Sequence, residues 1–246
     1  MTILVPVKRV VDPYAKVKPL PDGSGFDTSG VKFEINPFDE IALEEAVRIK
    51  ERDPSTIVIA ITIASAEAEE QLRKALAIGA DKAILVESRE TYDSPGIANE
   101  LLTVVNDIRP DLIIMGKQAT DDDNNQAGQM LAAKLGWPQA TFAARVELGS
   151  SSIKVTRETD TGEEVLEMPL PALITTDLRL NEPRYIALPG IIKARTKPLE
   201  RRNPATAPQL KTRVTKIEPA SGRSAGRKVA TIQELVGALR ERGALA

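Results

Sequence analysis

Along the first half of the chain, short apolar runs alternate with longer stretches whose apolar positions recur at helical spacing. The runs Ile3–Val10, Ser55–Ala64, Lys82–Glu87 and Asp111–Gly116 read as strands. Ser55–Ala64 ("STIVIAITIA") is β-branched and apolar on both faces, as a central parallel strand buried from both sides must be. Between them lie helical patterns. Asn36 can cap the first, with Pro37 in its first turn and Asp39 and Glu40 near its positive end. A second, "AEAEEQLRKALAIGAD", closes at Gly79, a third stops before Pro110, and a fourth ends near Gly136 and Pro138. Strand, helix, strand in this repeated order predicts βαβ units, hence an α/β fold: a doubly wound, mostly parallel sheet with helices on both faces. The excursion from Asp12 to Asn36 carries "PDGSG" and "TSG" turns and reads as a hairpin-like insertion. Beyond residue 140 the pattern changes to strand-like runs joined by tight turns, an expected antiparallel addition to the sheet. From Pro183 regular pattern fades into an extended arm rich in Pro, Ala, Ser, Thr and base, ending in one amphipathic helix, Thr231–Leu245. The expected division is therefore an α/β domain over 1–190, with a less regular segment at about 183–198, and a C-terminal arm over 199–246.

Composition narrows the chemistry. The chain has 246 residues, enough for a sizeable core, and contains no cysteine and no histidine. Disulfides, thiolate metal sites, thiol nucleophiles and histidine relays are excluded, and no metal site is expected. Aromatic residues are only 3%, which argues against a stacking surface for nucleic acid. No signal peptide precedes the first strand and no long uncharged apolar window exists, so a protein without membrane insertion is expected, cytoplasmic in a bacterium. Charge is unevenly placed. Lys193–Lys228 holds eleven Lys and Arg against two acidic residues, although the whole chain nets −2. Such an arm either lies on an acidic surface or stays solvated.

Three segments carry candidate chemistry. Gly116–Met130 ("GKQATDDDNNQAGQM") leads from a strand into a helix, where unpaired amides form an anion site. Gly116 and Gly128 permit close backbone approach, and Asp121, Asp122 and Asp123 can cap the helix or meet ribose hydroxyls. A nucleotide cradle and a well-capped surface helix both fit, because neither a dinucleotide fingerprint nor a P-loop is present. The turn Asn36–Glu40 ("NPFDE") offers amides to an adenine or phosphate, or is simply a well-made helix start. In Leu180–Pro198, apolar residues ringed by Arg184, Lys193, Arg195 and Lys197 fit either a docking loop or a chain crossing that packs on its own core.

Taken together, "VPVKRVVD", "NPFDEIALEEAVRIKE", "ALAIGAD", "GKQATDDDNNQAGQMLAAKLGWPQATFA" and "DLRLNEPRYIALPGIIKARTKP" resemble the β-subunit family of electron transfer flavoproteins (ETF) over nearly the whole chain. "VTRETDTGEEVLEMPLPALIT" is similar to the family signature, with Thr161 where Gly or Asp is usual. The resemblance implies an electron carrier rather than an enzyme: a heterodimer with an ETF α subunit that holds most of one FAD, while this chain buries a structural AMP. It implies AMP contacts at Pro6, at Asn36, Pro37, Phe38 and Asp39, and at Ile63. It further implies the run Gly116, Lys117, Gln118, Ala119, Thr120, Asp121, Asp122, Asp123, Asn124, Asn125, Gln126 and Ala127. Pro6 and Ile63 stand where smaller residues are common, and Pro6 has only its carbonyl to offer. Tyr14, next to an inserted Pro13, would lie near the FAD. Leu188 would anchor in partner dehydrogenases, with Pro189, Ile191, Ile192, Lys193 and Arg195 around it, and the arm would pack on the α subunit. The implied partners are acyl-CoA and other flavin dehydrogenases as donors in fatty acid oxidation, and ETF–quinone oxidoreductase as acceptor. In a eukaryote the place would be the mitochondrial matrix. The alternatives are a bifurcating ETF with a second FAD in the AMP place, and a stand-alone adenine-nucleotide sensor or ligase. A nucleic-acid role for the arm fits least.

Overall fold

In a computed structural model the described residues are 1–219, 221–222 and 225–245; Arg223, one of the arm's basic residues, lies outside them. The chain runs β1 (Thr2–Pro6), β2 (Arg9–Val11), β3 (Lys18–Pro19), β4 (Phe26–Asp27), β5 (Phe33–Ile35) and α1 (Pro37–Arg52). It continues β6 (Ile57–Ala64), α2 (Glu69–Ile78), β7 (Lys82–Glu87), α3 (Ser94–Ile108), β8 (Leu112–Gly116) and α4 (Ala127–Leu135). Then come β9 (Gln139–Leu148), β10 (Ser152–Thr159), β11 (Gly162–Pro169), β12 (Ala172–Thr176), α5 (Leu188–Ala194), β13 (Leu199–Arg202) and α6 (Ile232–Glu241).

Nine strands form one sheet in the order β11-β10-β9-β12-β8-β1-β6-β7-β13. Side chains alternate across it as the two-residue period of a strand requires. Ile3, Val5, Val58, Ala60, Leu112 and Ile114 pack under α1 and α2, through residues such as Leu43, Ala46, Leu72 and Leu76. Leu4, Ile59, Ile61, Ile113 and Met115 face α3 and α4, through Leu101, Val105 and Leu131. Both faces are covered, so the central strands are apolar throughout and the expected doubly wound α/β architecture is present.

Three local expectations change. The run Ile3–Val10 is not one strand. Val7 gives the last ladder hydrogen bond, to Ile61 O at 2.8 Å; the next amide, of Lys8, turns to Asp39 Oδ2 at 2.8 Å. Past that bend, β2 pairs antiparallel with β5, the hairpin-like insertion expected between Asp12 and Asn36. Antiparallel pairing after residue 140 is confined to the β9-β10 and β10-β11 pairs, because β9 runs parallel to β12 and β12 parallel to β8. Finally, regular structure persists past Pro183. Helix α5 seats Gly190 against α2, where a Cβ would meet Ala77 O at 2.6 Å, and β13 adds parallel to β7. The bases of this segment find acids on the body: Arg201 pairs with Glu69 and Glu87, and Arg202 with Asp107. Lys197 Nζ caps the end of α2 through Leu76 O and Ala80 O, at 2.9 and 2.6 Å.

The chain forms two compact units, one of Met1–Val17 with Thr28–Val214 and one of Lys18–Asp27 with Thr215–Ala246. Residues 199–214, read from sequence as part of the arm, thus belong to the first unit. In the second, β3 and β4 pair antiparallel. Its helix α6 is capped by Thr231, whose hydroxyl accepts from Glu234 N at 3.2 Å, and it leaves Ile232 and Leu235 exposed. Among the described residues no helix is long and apolar enough to cross a membrane.

Candidate functional site

Chain order reverses beside β1: β6 and β7 are laid down on one side, β8 on the other. Ligands of open parallel sheets bind outside the strand carboxyl ends at such a point. A cavity of about 470 Å³ opens there, in the size range of small-molecule sites, roughly 300–1,000 Å³. Its walls are the ends of β1, β6 and β8, the loop from β8 to α4, and the segment between β7 and α3.

The framework is held by buried polar groups at the start of α1. Asp39 is buried and takes two main-chain donors, Lys8 N at 2.8 Å on one oxygen and Gly116 N at 3.0 Å on the other. Burial pushes its carboxyl up to about 7, against those donors, which favour the carboxylate. Asn36 reaches across to the same loop: its amide donates to Gln118 O at 2.8 Å and its oxygen accepts from Thr120 N at 3.2 Å. It stands at the cap position of α1 but makes no side-chain cap bond to that helix. Gly116 is required by this closeness, since a Cβ would lie 2.3 Å from Asp39 Oδ1 and 2.7 Å from Phe38 Cβ.

The three aspartates do not cap α4, as the sequence allowed. The cap position belongs to Gln126, which makes no side-chain cap bond. Asp121 and Asp122 instead share the ammonium of Lys8, at 2.7 and 2.9 Å. Burial opposes ionisation of Asp122, but Lys8 and the amide of Asn124 hold its carboxyl below the usual range. The same pair holds the Lys8 ammonium above its ordinary value despite burial. Asp123 accepts from Gln118 Nε2 at 2.7 Å. Asp123 and Asn125 adopt the left-handed conformation, φ 51° and 49°, which these residue types tolerate better than most. Lys117, the one cation the sequence placed beside the loop, is tied to Asp177 at 2.8 Å.

Many loop amides are therefore engaged internally. Besides those of Gly116 and Thr120, Lys117 N donates to Thr176 O, Asp123 N to Ala119 O and Asn124 N to Asp122 Oδ1. What faces a ligand is the uncapped first turn of α4, where Ala127 and Gly128 line the cavity and the helix supplies no carbonyls to their amides. Gly128 also lets α4 sit close on the sheet, for a Cβ there would lie 2.7 Å from Thr175 Cγ2.

Of the residues singled out from sequence, Pro6, Asn36, Asp39, Ile63, Gly116–Ala119, Asp121, Asp122 and Asn124–Ala127 line this cavity. Pro37, Phe38, Thr120 and Asp123 do not; Phe38 is buried, and its carbonyl accepts from Thr176 Oγ1 at 2.9 Å. Sequence reasoning missed the two bases after β1, Lys8 and Arg9, and the wall Glu90–Tyr92 with Ser94, Ile97 and Leu101. "VKRV" directly after a strand was a usable signal for the bases. The second wall carries no glycine or phosphate motif that would mark it.

Two further groups lie outside the cavity. Tyr14 is 94% exposed, its amide on Asp12 Oδ1 at 2.9 Å. On α5, Leu188 (68% exposed), Ile191 and Ile192 face outward, while Ala194 is buried and its carbonyl accepts from Arg73 at 3.0 Å. Arg184 fixes the approach to α5 by gripping Glu44 and Glu51 of α1, at 2.8 and 2.6 Å. Burial alone would raise Glu44, but Arg184 and Arg48 hold its carboxyl below the usual range. Among the described residues no group of three His, Cys, Asp or Glu side chains is arranged to hold a metal ion.

Comparison with known proteins gives the family. A family profile described as "Electron transfer flavoprotein domain" matches residues 24–207. The chain is 49% identical over 243 residues to "Electron transfer flavoprotein subunit beta" of Bradyrhizobium diazoefficiens, covering 98% of each. It is 45% identical over 250 residues to the protein of that name from Homo sapiens, covering 99% of this chain and 98% of the relative. To "Electron transfer flavoprotein subunit beta, mitochondrial" of Arabidopsis thaliana it is 46% identical over 248 residues, with 98% of each covered.

Proposed function

The chain belongs to the electron transfer flavoprotein family, on the β-subunit side, and from that premise we propose that it is the AMP-holding half of an αβ electron carrier. The carrying observation is the switch-point cavity, about 470 Å³, closed by Asn36 and Asp39 and opening on the uncapped start of α4. A helix start with unsatisfied amides suits a phosphate, and the aliphatic wall of Ile63, Ile97 and Leu101 suits an adenine face. With Asp121 and Asp122 sharing the Lys8 ammonium, the three groups carry one net negative charge rather than two, which eases the approach of a monophosphate to the loop. The nucleotide then fills the centre of the fold as a structural part.

FAD, held mainly by the α subunit, supplies the reversible uptake and release of electrons. This chain's residues bind and orient. Tyr14 stands exposed where a second subunit and its flavin can meet it, and the apolar outer face of α5 offers Leu188 as an anchor for acyl-CoA and other flavin dehydrogenases. An anchor side chain with flanking Lys193 and Arg195 suits partners that exchange, because rim charges steer encounter more than they hold. Electrons leave to an ETF–quinone oxidoreductase, and the chain has no reaction of its own.

The test is to co-express the chain with its α subunit and extract the purified complex with acid. One FAD and one AMP per heterodimer are expected. Two FAD and no AMP would replace this reading with that of a bifurcating carrier.

A further inference from the structure

Glu100 is a carboxylate in α3, 1% exposed, that neither the cavity nor the docking face uses. Among the described residues its side-chain hydrogen bonds come from one place, the stretch that follows β13. Ala205 N donates to Oε1 at 2.8 Å, and Thr206 N and Oγ1 donate to Oε2 at 2.9 and 2.7 Å. The same stretch is fastened twice more. Tyr92 Oη donates to Thr206 O at 2.8 Å, and Lys211 N donates to Asp93 Oδ2 at 2.8 Å. The other oxygen of Asp93 caps α3 through Gly96 N at 2.9 Å, so one side chain joins the strap to the helix start.

What the stretch fastens is a wall of the cavity. Glu90, Thr91 and Tyr92, with Ser94, Ile97 and Leu101 of α3, line it opposite the aspartate loop. Residues 88–93 belong to no strand or helix, and their side-chain bonds to one another are local, as between Ser88 and Glu90. Past Ser88, whose amide still donates to Ala64 O at 2.9 Å, the wall has no ladder bonds among the described residues, and such a segment opens easily unless something outside holds it.

We propose that residues 205–211 form a strap which, with Glu100 as its buried catch, holds the wall between β7 and α3 closed and sets how long the nucleotide stays bound. This rests on the nucleotide reading of the cavity. Glu100 is a positioning residue in it: it touches the strap and not the ligand.

The test uses the intact αβ complex with Glu100→Gln and Thr206→Val. The glutamine keeps the shape but offers one acceptor oxygen, and its amide faces donors. Thr206→Val removes the hydroxyl donor from the strap side and leaves α3 untouched. Amide hydrogen exchange of peptides covering 203–211 and 89–97 is measured beside the rate of AMP release into excess buffer. Exchange is expected to rise in both peptides together. Release should quicken about tenfold in Glu100→Gln, as loss of a charge-assisted bond implies, and about threefold in Thr206→Val. Faster exchange in the strap with unchanged release would overturn the strap while leaving the nucleotide site standing. Unchanged exchange in both variants would overturn it equally. If Glu100→Gln does not fold, Thr206→Val decides. A wild-type complex without AMP would instead remove the nucleotide reading itself, and the strap's role with it.

Discussion

Replacing Gly116 by alanine tests the tightest point of the framework. The new methyl would lie 2.3 Å from Asp39 Oδ1, 2.7 Å from Phe38 Cβ and 3.0 Å from Asp39 N. None of these can swing away. Asp39 is pinned by main-chain donors on both oxygens, and Phe38 is buried with its carbonyl on Thr176. The start of α1 or the end of β8 must therefore shift. Overpacking of this kind costs about 1–3 kcal/mol. The shift also leaves the buried Gly116 N–H without its Asp39 partner, costing about 1–3 kcal/mol. A loss of about 4 kcal/mol is expected, a large share of the 5–15 kcal/mol typical of a folded domain. Gly128→Ala is the matched control. Its clashes are with the buried Thr175 methyl at 2.7 Å and the flexible Met115 sulfur at 3.2 Å, fewer and no closer than 2.7 Å. Alanine also regains about 1 kcal/mol of helix propensity in α4, so a net loss of about 1 kcal/mol is expected there. Urea midpoints of the two variant complexes at one fixed AMP concentration make the comparison, with AMP content as a second readout. If Gly116→Ala proves no less stable than Gly128→Ala, the close seating of α1 on β8 is wrong.

Asp39, raised to about 7 in the folded chain, holds a proton that the unfolded chain releases near 4, so stability from this group is present at low pH and falls as pH rises through about 7. Asp39→Asn should remove that slope, at most about 1.4 kcal/mol per pH unit, and parallel pH–stability curves for the two proteins between pH 5 and 8 would refute this. Arg184→Met should cost roughly 2 kcal/mol in denaturant unfolding, because it leaves the buried Glu44 with Arg48 alone; a neutral result would mean the clamp is ornamental. Leu188→Ala should slow reduction of the complex by an acyl-CoA dehydrogenase about tenfold while flavin and AMP contents stay unchanged, and stopped-flow rates equal to wild type would move docking away from α5.

Much of the fold was legible because its signals are local and redundant. Ser55–Ala64 is apolar on both faces, and Asn36-Pro37 and Gly79 mark helix ends within a few residues of the observed ones. Readings failed where a distant partner decides. Nothing in "ILVPVKRV" says that the amide of Lys8 will leave the ladder for Asp39, 31 residues on. "PLERR" becomes a strand only because β7 presents an open edge with Glu69 and Glu87 beside it. At the candidate site the loop after β8 was visible as a strand-to-helix turn. The roles within it were not: Asp121 and Asp122 look like caps until Lys8, over a hundred residues earlier in the chain, arrives between them. The wall at Glu90–Tyr92 left no pattern at all, since its place depends on how α3 crosses the sheet.

The outer edge of β7 is sealed by β13, a segment made more than a hundred residues later. During synthesis that edge, with its unmet amides and carbonyls, stays open while five more strands of the sheet, β8 to β12, emerge. The nascent chain thus carries a sticky margin until Arg202 has left the ribosome, and chaperone cover or slow aggregation is decided in that interval.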